Sequence, residues 1–294
     1  MEALTDIFGS DIKAIVATAK PATVITKDNV FQEGDANVMA IVDKIAATLM
    51  LPGSGVDGME NLEELLEKAQ SGKSCLLLLE HYSNFDLTVF SLLVRQAGGR
   101  GKDIADAIVA IAGAKLNEEN SVVAAFASAY TRIVIYPNSY LKGLSPEKKL
   151  IEIPRSLSIN RAALKMLEKH KHNGKLVLVF PAGTRYRPWD PSTKKGVREI
   201  DSYIKSFDYM CCVALNGEIL HVQKSDMLND LVSPDIVRVG AGPVLSCAEF
   251  RAKAREGTGA DGTSDDKKRL VVDAIMSNLD SLHAQTEANR KKPA

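Results

Sequence analysis

Ser74-Cys75-Leu76-Leu77-Leu78-Leu79-Glu80-His81-Tyr82-Ser83-Asn84-Phe85-Asp86 is the stretch on which the fold turns. The apolar run Cys75–Leu79 has strand length and no polar face, so it reads as a strand buried on both sides. The polar run that follows leads to Asp86, where apolar spacing becomes that of a helix reaching about Gln96. Working outward, the alternation recurs. Apolar runs at 107–111, 132–136, 176–180, 209–215 and 236–239 read as strands, with helices near 121–129 and 158–172. Strands of this kind separated by helices predict an α/β fold, its mixed, mostly parallel sheet covered by helices. Some C-terminal strands are free to run antiparallel.

Upstream, the pattern is helical. Leu4, Ile7, Phe8, Ile12, Ile15 and Val16 form one stripe, and Val38, Ile41, Val42, Ile45, Ala46 and Leu49 a second. Leu62, Leu65, Leu66 and Ala69 form a third, stopped by Gly72. The glycine-rich segment 52–58 predicts a boundary, with a small N-terminal helical bundle at 1–56 and an α/β domain over 57–294. Downstream, residues 256–266 read as an exposed loop, and a last helix near 267–288 ends in a frayed basic tail.

The 294 residues are 45% apolar and 25% charged, ordinary globular values that argue against disorder or a disulfide scaffold. Thirty-seven Lys and Arg balance 37 Asp and Glu, so bulk charge gives no support to nucleic-acid binding. Cys75, Cys211, Cys212 and Cys247 form no CxxC pair and read as buried thiols in a reducing compartment. The opening residues lack the basic start and apolar core of a leader, and no run reaches the ~20 apolar residues of a spanning helix. A soluble, cytoplasmic chain is expected.

The chemistry concentrates in two windows. His81 stands just past a strand end, and Asp86 follows five positions later where a helix begins. That spacing lets the carboxylate fold back onto one imidazole nitrogen, fixing the tautomer and leaving the other as a general base. Taken alone, the pair also fits a polar strand end and a helix cap. The second window is Phe180-Pro181-Ala182-Gly183-Thr184-Arg185-Tyr186-Arg187, after the strand at 176–180. Gly183 and Thr184 permit a tight turn whose backbone N–H groups can face a ligand or a developing oxyanion. Arg185 and Arg187 can reach one phosphate with bidentate, permanently charged donors. Lys194, Lys195 and Arg198 add local positive charge.

His81 to Asp86 followed by Phe180-Pro181-Ala182-Gly183-Thr184-Arg185 resembles the paired signature of the glycerolipid acyltransferase superfamily, whose usual second motif is Phe-Pro-Glu-Gly-Thr-Arg. The likeness is nearest to the soluble glycerol-3-phosphate acyltransferases of plant plastids. It runs in order through 77–86, 111–116, 130–136, 160–167, 179–191 and 240–246, about residues 55 to 250. Two departures stand out. Ala182 replaces the superfamily's glutamate, which the plastid branch also lacks. Pro137-Asn138-Ser139-Tyr140 stands where the plastid enzymes carry Lys-Lys-His, leaving Arg132 or Lys142 to supply the missing charge.

The resemblance implies transfer of a fatty acyl group from a thioester, acyl carrier protein or coenzyme A, to the hydroxyl of glycerol 3-phosphate. His81 would be the base and Asp86 its orienting acid, with Arg185, Arg187, Lys194 and Arg132 on the acceptor phosphate. No metal, cofactor or nucleic acid is implied, and a transient contact with a membrane surface stays open. A plastid stroma replaces the cytoplasm if the organism bears plastids. Alternatives are 1-acylglycerol 3-phosphate as acceptor, a non-catalytic lipid- or phosphate-binding module, and a metal-dependent phosphohydrolase. Phe85, Val89 and Phe90 are candidate acyl-tunnel positions. His170 and His172 read as helix-end cations, His221 as structural and His283 as exposed.

Overall fold

The computed structural model describes residues 1–118, 120–256 and 263–290. The chain divides into two compact units, neither of them one continuous stretch. One comprises Met1–Leu4, Ala46–Ile108 and Lys171–Ala294, the other Thr5–Ile45 and Val109–His170. Residues 1–56 are thus divided between the two.

The first unit is organised around β4 (Cys75–Leu79), in which every residue is buried. It pairs in parallel with β7 (Leu176–Val179) on one side and β8 (Tyr209–Asn216) on the other. β8 continues antiparallel to β11 (Arg238–Ala241) and β12 (Leu245–Ser246), and β11 runs parallel to β3 (Gly55–Asp57). A small antiparallel sheet joins β1 (Glu2–Ala3), β10 (Leu231–Val232) and β9 (Leu220–His221). Burying each leucine of β4 contributes roughly 2 kcal/mol, which accounts for the central place of the most apolar strand. Around the sheet lie α3 (Met59–Gln70), α4 (Asp86–Gln96), α5 (Gly101–Ala107), α9 (Glu199–Ser206), α10 (Cys247–Arg255) and α11 (Ser264–Asn289). α3 packs on β4 and β8, and α11 on β8 and β11.

The second unit pairs β5 (Ile108–Gly113) in parallel with β6 (Arg132–Ile135), which meets β2 (Phe31–Gln32) antiparallel. Its helices are α1 (Leu4–Thr18), α2 (Ala36–Leu49), α6 (Lys115–Glu118), α7 (Ser121–Ala127) and α8 (Pro146–Lys171). Asn160 clasps the end of β6: its Oδ1 accepts from Tyr136 N at 2.8 Å and its Nδ2 donates to Tyr136 O at 2.9 Å.

The protein is α/β, with a mixed, mostly parallel sheet flanked by helices, as the alternation predicts. Both elements of the opening stretch, β4 and α4, keep their expected bounds. Helix α8 starts at Pro146 rather than near residue 158, because the chain carries Pro154 within the helix. Losing one N–H and clashing with the preceding turn is tolerated there, although it reads as a stop in sequence. Of the loop expected at 256–266, residues 257–262 lie outside the described residues, as does the tail at 291–294. Ser264, Asp265 and Asp266 belong instead to the first turn of α11, closed by reciprocal bonds between Thr263 and Asp266. Among the described residues no helix is long and apolar enough to cross a membrane.

Candidate active site

β4 and β7 are parallel neighbours, with Leu78 beside Val179, so the loops that follow them leave the same edge of the sheet. The carboxyl ends of parallel strands are where open α/β sheets leave a crevice for ligands. The first loop carries His81 and the second carries Arg185. They are tied together by Tyr186 N–H, which donates to His81 O at 2.8 Å. The His81 ring stacks on Phe180, centroids 3.9 Å apart.

Asp86 is buried, and donors converge on its carboxylate. Oδ2 lies 2.8 Å from His81 Nδ1 and accepts from Tyr82 N at 2.5 Å and Ser83 N at 2.9 Å. Oδ1 accepts from Ser83 Oγ at 2.9 Å. An ionised carboxylate offers no proton, so Nδ1 carries the hydrogen and Nε2 is left as the acceptor of a neutral ring. This is the arrangement of a general base with a fixed tautomer. Ser83 also accepts from Phe85 N at 3.1 Å, closing the turn that starts α4.

The loop after β7 is held open by Gly183, whose φ of +66° suits glycine and whose missing Cβ would lie 3.0 Å from Val197 Cγ1. Gly183 N–H donates to Phe180 O at 2.9 Å, so it closes the turn and is not a donor for an oxyanion. Of the expected pair, this leaves only the Thr184 N–H as a candidate donor. Arg185 is half-buried and donates to the buried Asp230 Oδ2 at 3.4 Å. Burial lowers the guanidinium and raises the Asp230 carboxyl, with the two charges opposing both shifts. The charges of Arg187 (lowering) and Asp86 (raising) also act on Arg185. Arg187 is exposed. Lys194 binds Asp280 Oδ1 at 2.7 Å, which raises it, and lines a cavity with His81. That cavity, about 20 Å³, has room for one water-sized group, such as a hydroxyl, and not for a whole metabolite.

Two further expectations need correction. Arg132 is buried on β6 and donates to Ala127 O at 2.6 Å and Tyr130 O at 3.2 Å, with desolvation pushing it down to about 10. It is a structural residue of the second unit and no phosphate ligand. Phe85, Val89 and Phe90 are buried in the core. His283 is not simply exposed, since its Nδ1 lies 2.8 Å from Glu80 Oε2.

Glu80, Tyr82 and His283 form a second cluster beside the first, absent from the sequence reading. Glu80 Oε2 also accepts from Leu215 N at 2.9 Å, and Oε1 accepts from the Tyr82 hydroxyl at 2.9 Å. Burial, then the Glu80 charge, pushes that phenol far up. A signal existed. His283 lies four residues after Leu279 on the stripe of buried Val272, Ile275, Leu279 and Thr286, where a polar residue calls for a partner. The hydrogen bond to Glu80 raises His283, so its protonated ring favours the folded state. That contribution is complete below about pH 6.5 and fades as pH rises through the shifted value. With a third of the side chain open to solvent, His283→Gln is expected to cost about 1 kcal/mol in mild acid and markedly less in alkali. Equal losses at both pH values in urea unfolding would show the ring to be uncharged throughout.

All four cysteines are buried thiols; burial pushes Cys75, Cys212 and Cys247 up to about 12. Among the described residues no group of three or more His, Cys, Asp and Glu is placed to hold a metal ion. No protein-family model matches the chain, and no curated protein matches it.

Proposed function

We propose that the chain is an acyltransferase, moving a fatty acyl group from a thioester of acyl carrier protein or coenzyme A to the hydroxyl of glycerol 3-phosphate. The observation that carries this reading is the His81–Asp86 pair at a sheet edge, tied through the Tyr186 N–H to the loop that bears Arg185 and Arg187. Nε2 of His81 takes the acceptor's hydroxyl proton as that oxygen attacks the thioester carbonyl. The new C–O bond completes the ester, the C–S bond breaks, and the imidazolium returns its proton to the departing thiolate. Asp86 stabilises the charge held on the ring between these events.

Direct transfer is favoured over an acyl-enzyme. Ser83 Oγ donates to Asp86, and Cys75 lies inside β4 as an unionised thiol. Arg185 and Arg187 supply the anion clamp, which fixes the hydroxyl near the base and makes the step close to intramolecular. With Arg132 engaged elsewhere, the two arginines and Lys194 carry the phosphate contacts.

The test is an acyl-transfer assay that crosses both thioester donors with glycerol 3-phosphate and its 1-acyl derivative. Transfer to glycerol 3-phosphate is the expected result, and no transfer to either acceptor would leave a binding module instead. In the same assay Arg185→Ala should raise the KM for the phosphorylated acceptor about tenfold or more, with the donor KM little changed. An unchanged acceptor constant would remove Arg185 from the site.

A further inference from the structure

Helix α8 carries apolar residues on two sides. Ile159, Ala163 and Leu167 are buried, whereas Leu150, Ile151, Leu157 and Leu164 stand 78, 71, 62 and 57% exposed. Leu150, Pro154, Leu157, Arg161 and Leu164 recur at helical spacing and so form one outward stripe. A groove of about 670 Å³ runs along it, lined by Lys27, Asp28, Pro154, Leu157, Arg161 and Lys165 among others. Lys148 and Lys149 precede Leu150 at the start of the helix. Among the described residues none of Lys27, Lys148, Lys149, Arg161 and Lys165 is paired with a carboxylate side chain, while Glu152 on the same helix is taken by Arg155.

We propose that this face of α8 docks on an anionic lipid bilayer. The aliphatic stripe enters the boundary between headgroups and acyl chains, and the flanking lysine and arginine side chains reach the phosphates. The whole chain is neutral, so the attraction is local to this face, where five cations stand against Asp28, Glu147 and Glu168. Composition separates a bilayer from a protein partner. Protein interfaces are rich in aromatic residues and poor in lysine, and this stripe is aliphatic, rimmed by lysine and without an aromatic ring. The proposal does not rest on acyl transfer, and its readout is independent of it.

The experiment is co-flotation of the full chain with vesicles of phosphatidylcholine alone and of phosphatidylcholine mixed with phosphatidylglycerol. Binding to the mixed vesicles should exceed that to the neutral ones about tenfold and decline with added salt. The double variant Leu150→Glu, Leu157→Glu alters exposed positions only, so it should keep the circular dichroism of the native chain and lose flotation. Arg161→Glu with Lys165→Glu should weaken binding to the anionic vesicles alone. No flotation of the native chain, or undiminished flotation of the folded leucine variant, overturns the proposal. So does self-association, or binding to an acidic protein, that the leucine substitutions abolish while vesicle binding is absent.

Discussion

His81→Ala is expected to lower acyl transfer about 10³-fold while leaving a folded protein. The ring holds a nitrogen at the sheet edge with its partner nitrogen bound to Asp86, so under the proposed mechanism its removal takes away the proton acceptor and not only a contact. The structural cost is small. The variant loses the stack on Phe180 and one bond to Asp86, about 2 kcal/mol together. Asp86 keeps its bonds from Tyr82 N, Ser83 N and Ser83 Oγ, so the buried carboxylate stays compensated. Turnover at saturating substrate, measured beside a thermal melt, checks both halves. If the folded variant turns over within about tenfold of the native rate, the base lies elsewhere and the proposed mechanism fails.

Asp86 is expected to show the second large effect, divided between two variants. Asp86→Ala strips the acceptor from two backbone amides, one hydroxyl and the imidazole in a buried turn, and should cost about 3 kcal/mol of stability. Asp86→Asn keeps the volume and one carbonyl acceptor. Ser83 Oγ can rotate to accept from the amide, so this variant should stay folded with most of its stability. Its rate should nonetheless fall about 10³-fold, because a neutral amide does not stabilise the imidazolium formed during transfer. Unfolding midpoints and turnover of the two variants separate the turn's structural role from the catalytic one. An asparagine variant as active as the native chain would leave Asp86 the closing residue of the 81–86 turn and nothing more.

Where the apolar pattern had one explanation, the fold was legible. Cys75–Leu79 has no polar side, so two-sided burial followed, and Asp86 begins α4 because turn and helix meet there. Legibility failed where elements depend on partners. The two-residue strands β1, β2, β9, β10 and β12 exist only through their pairing and carry no periodic signal of their own. Helix α8 hid its first turns because Leu150, Ile151 and Ile153 face solvent and Pro154 reads as a breaker. Arg132 and Arg185 look alike in sequence, both near strand ends; one is capped by its own loop carbonyls and the other reaches the site edge.

The chain by itself determined the His81–Asp86 contact, because a turn of four intervening residues brings the two side chains within reach. Tertiary structure alone decided that the loop after β7 would stand beside that pair, through the parallel register of β4 and β7. It also set Arg185 against Asp230 and Glu80 against His283. The physical reason is reach: a side chain spans a few ångströms, so groups far apart in sequence meet only where strand pairing and helix packing carry their backbones together.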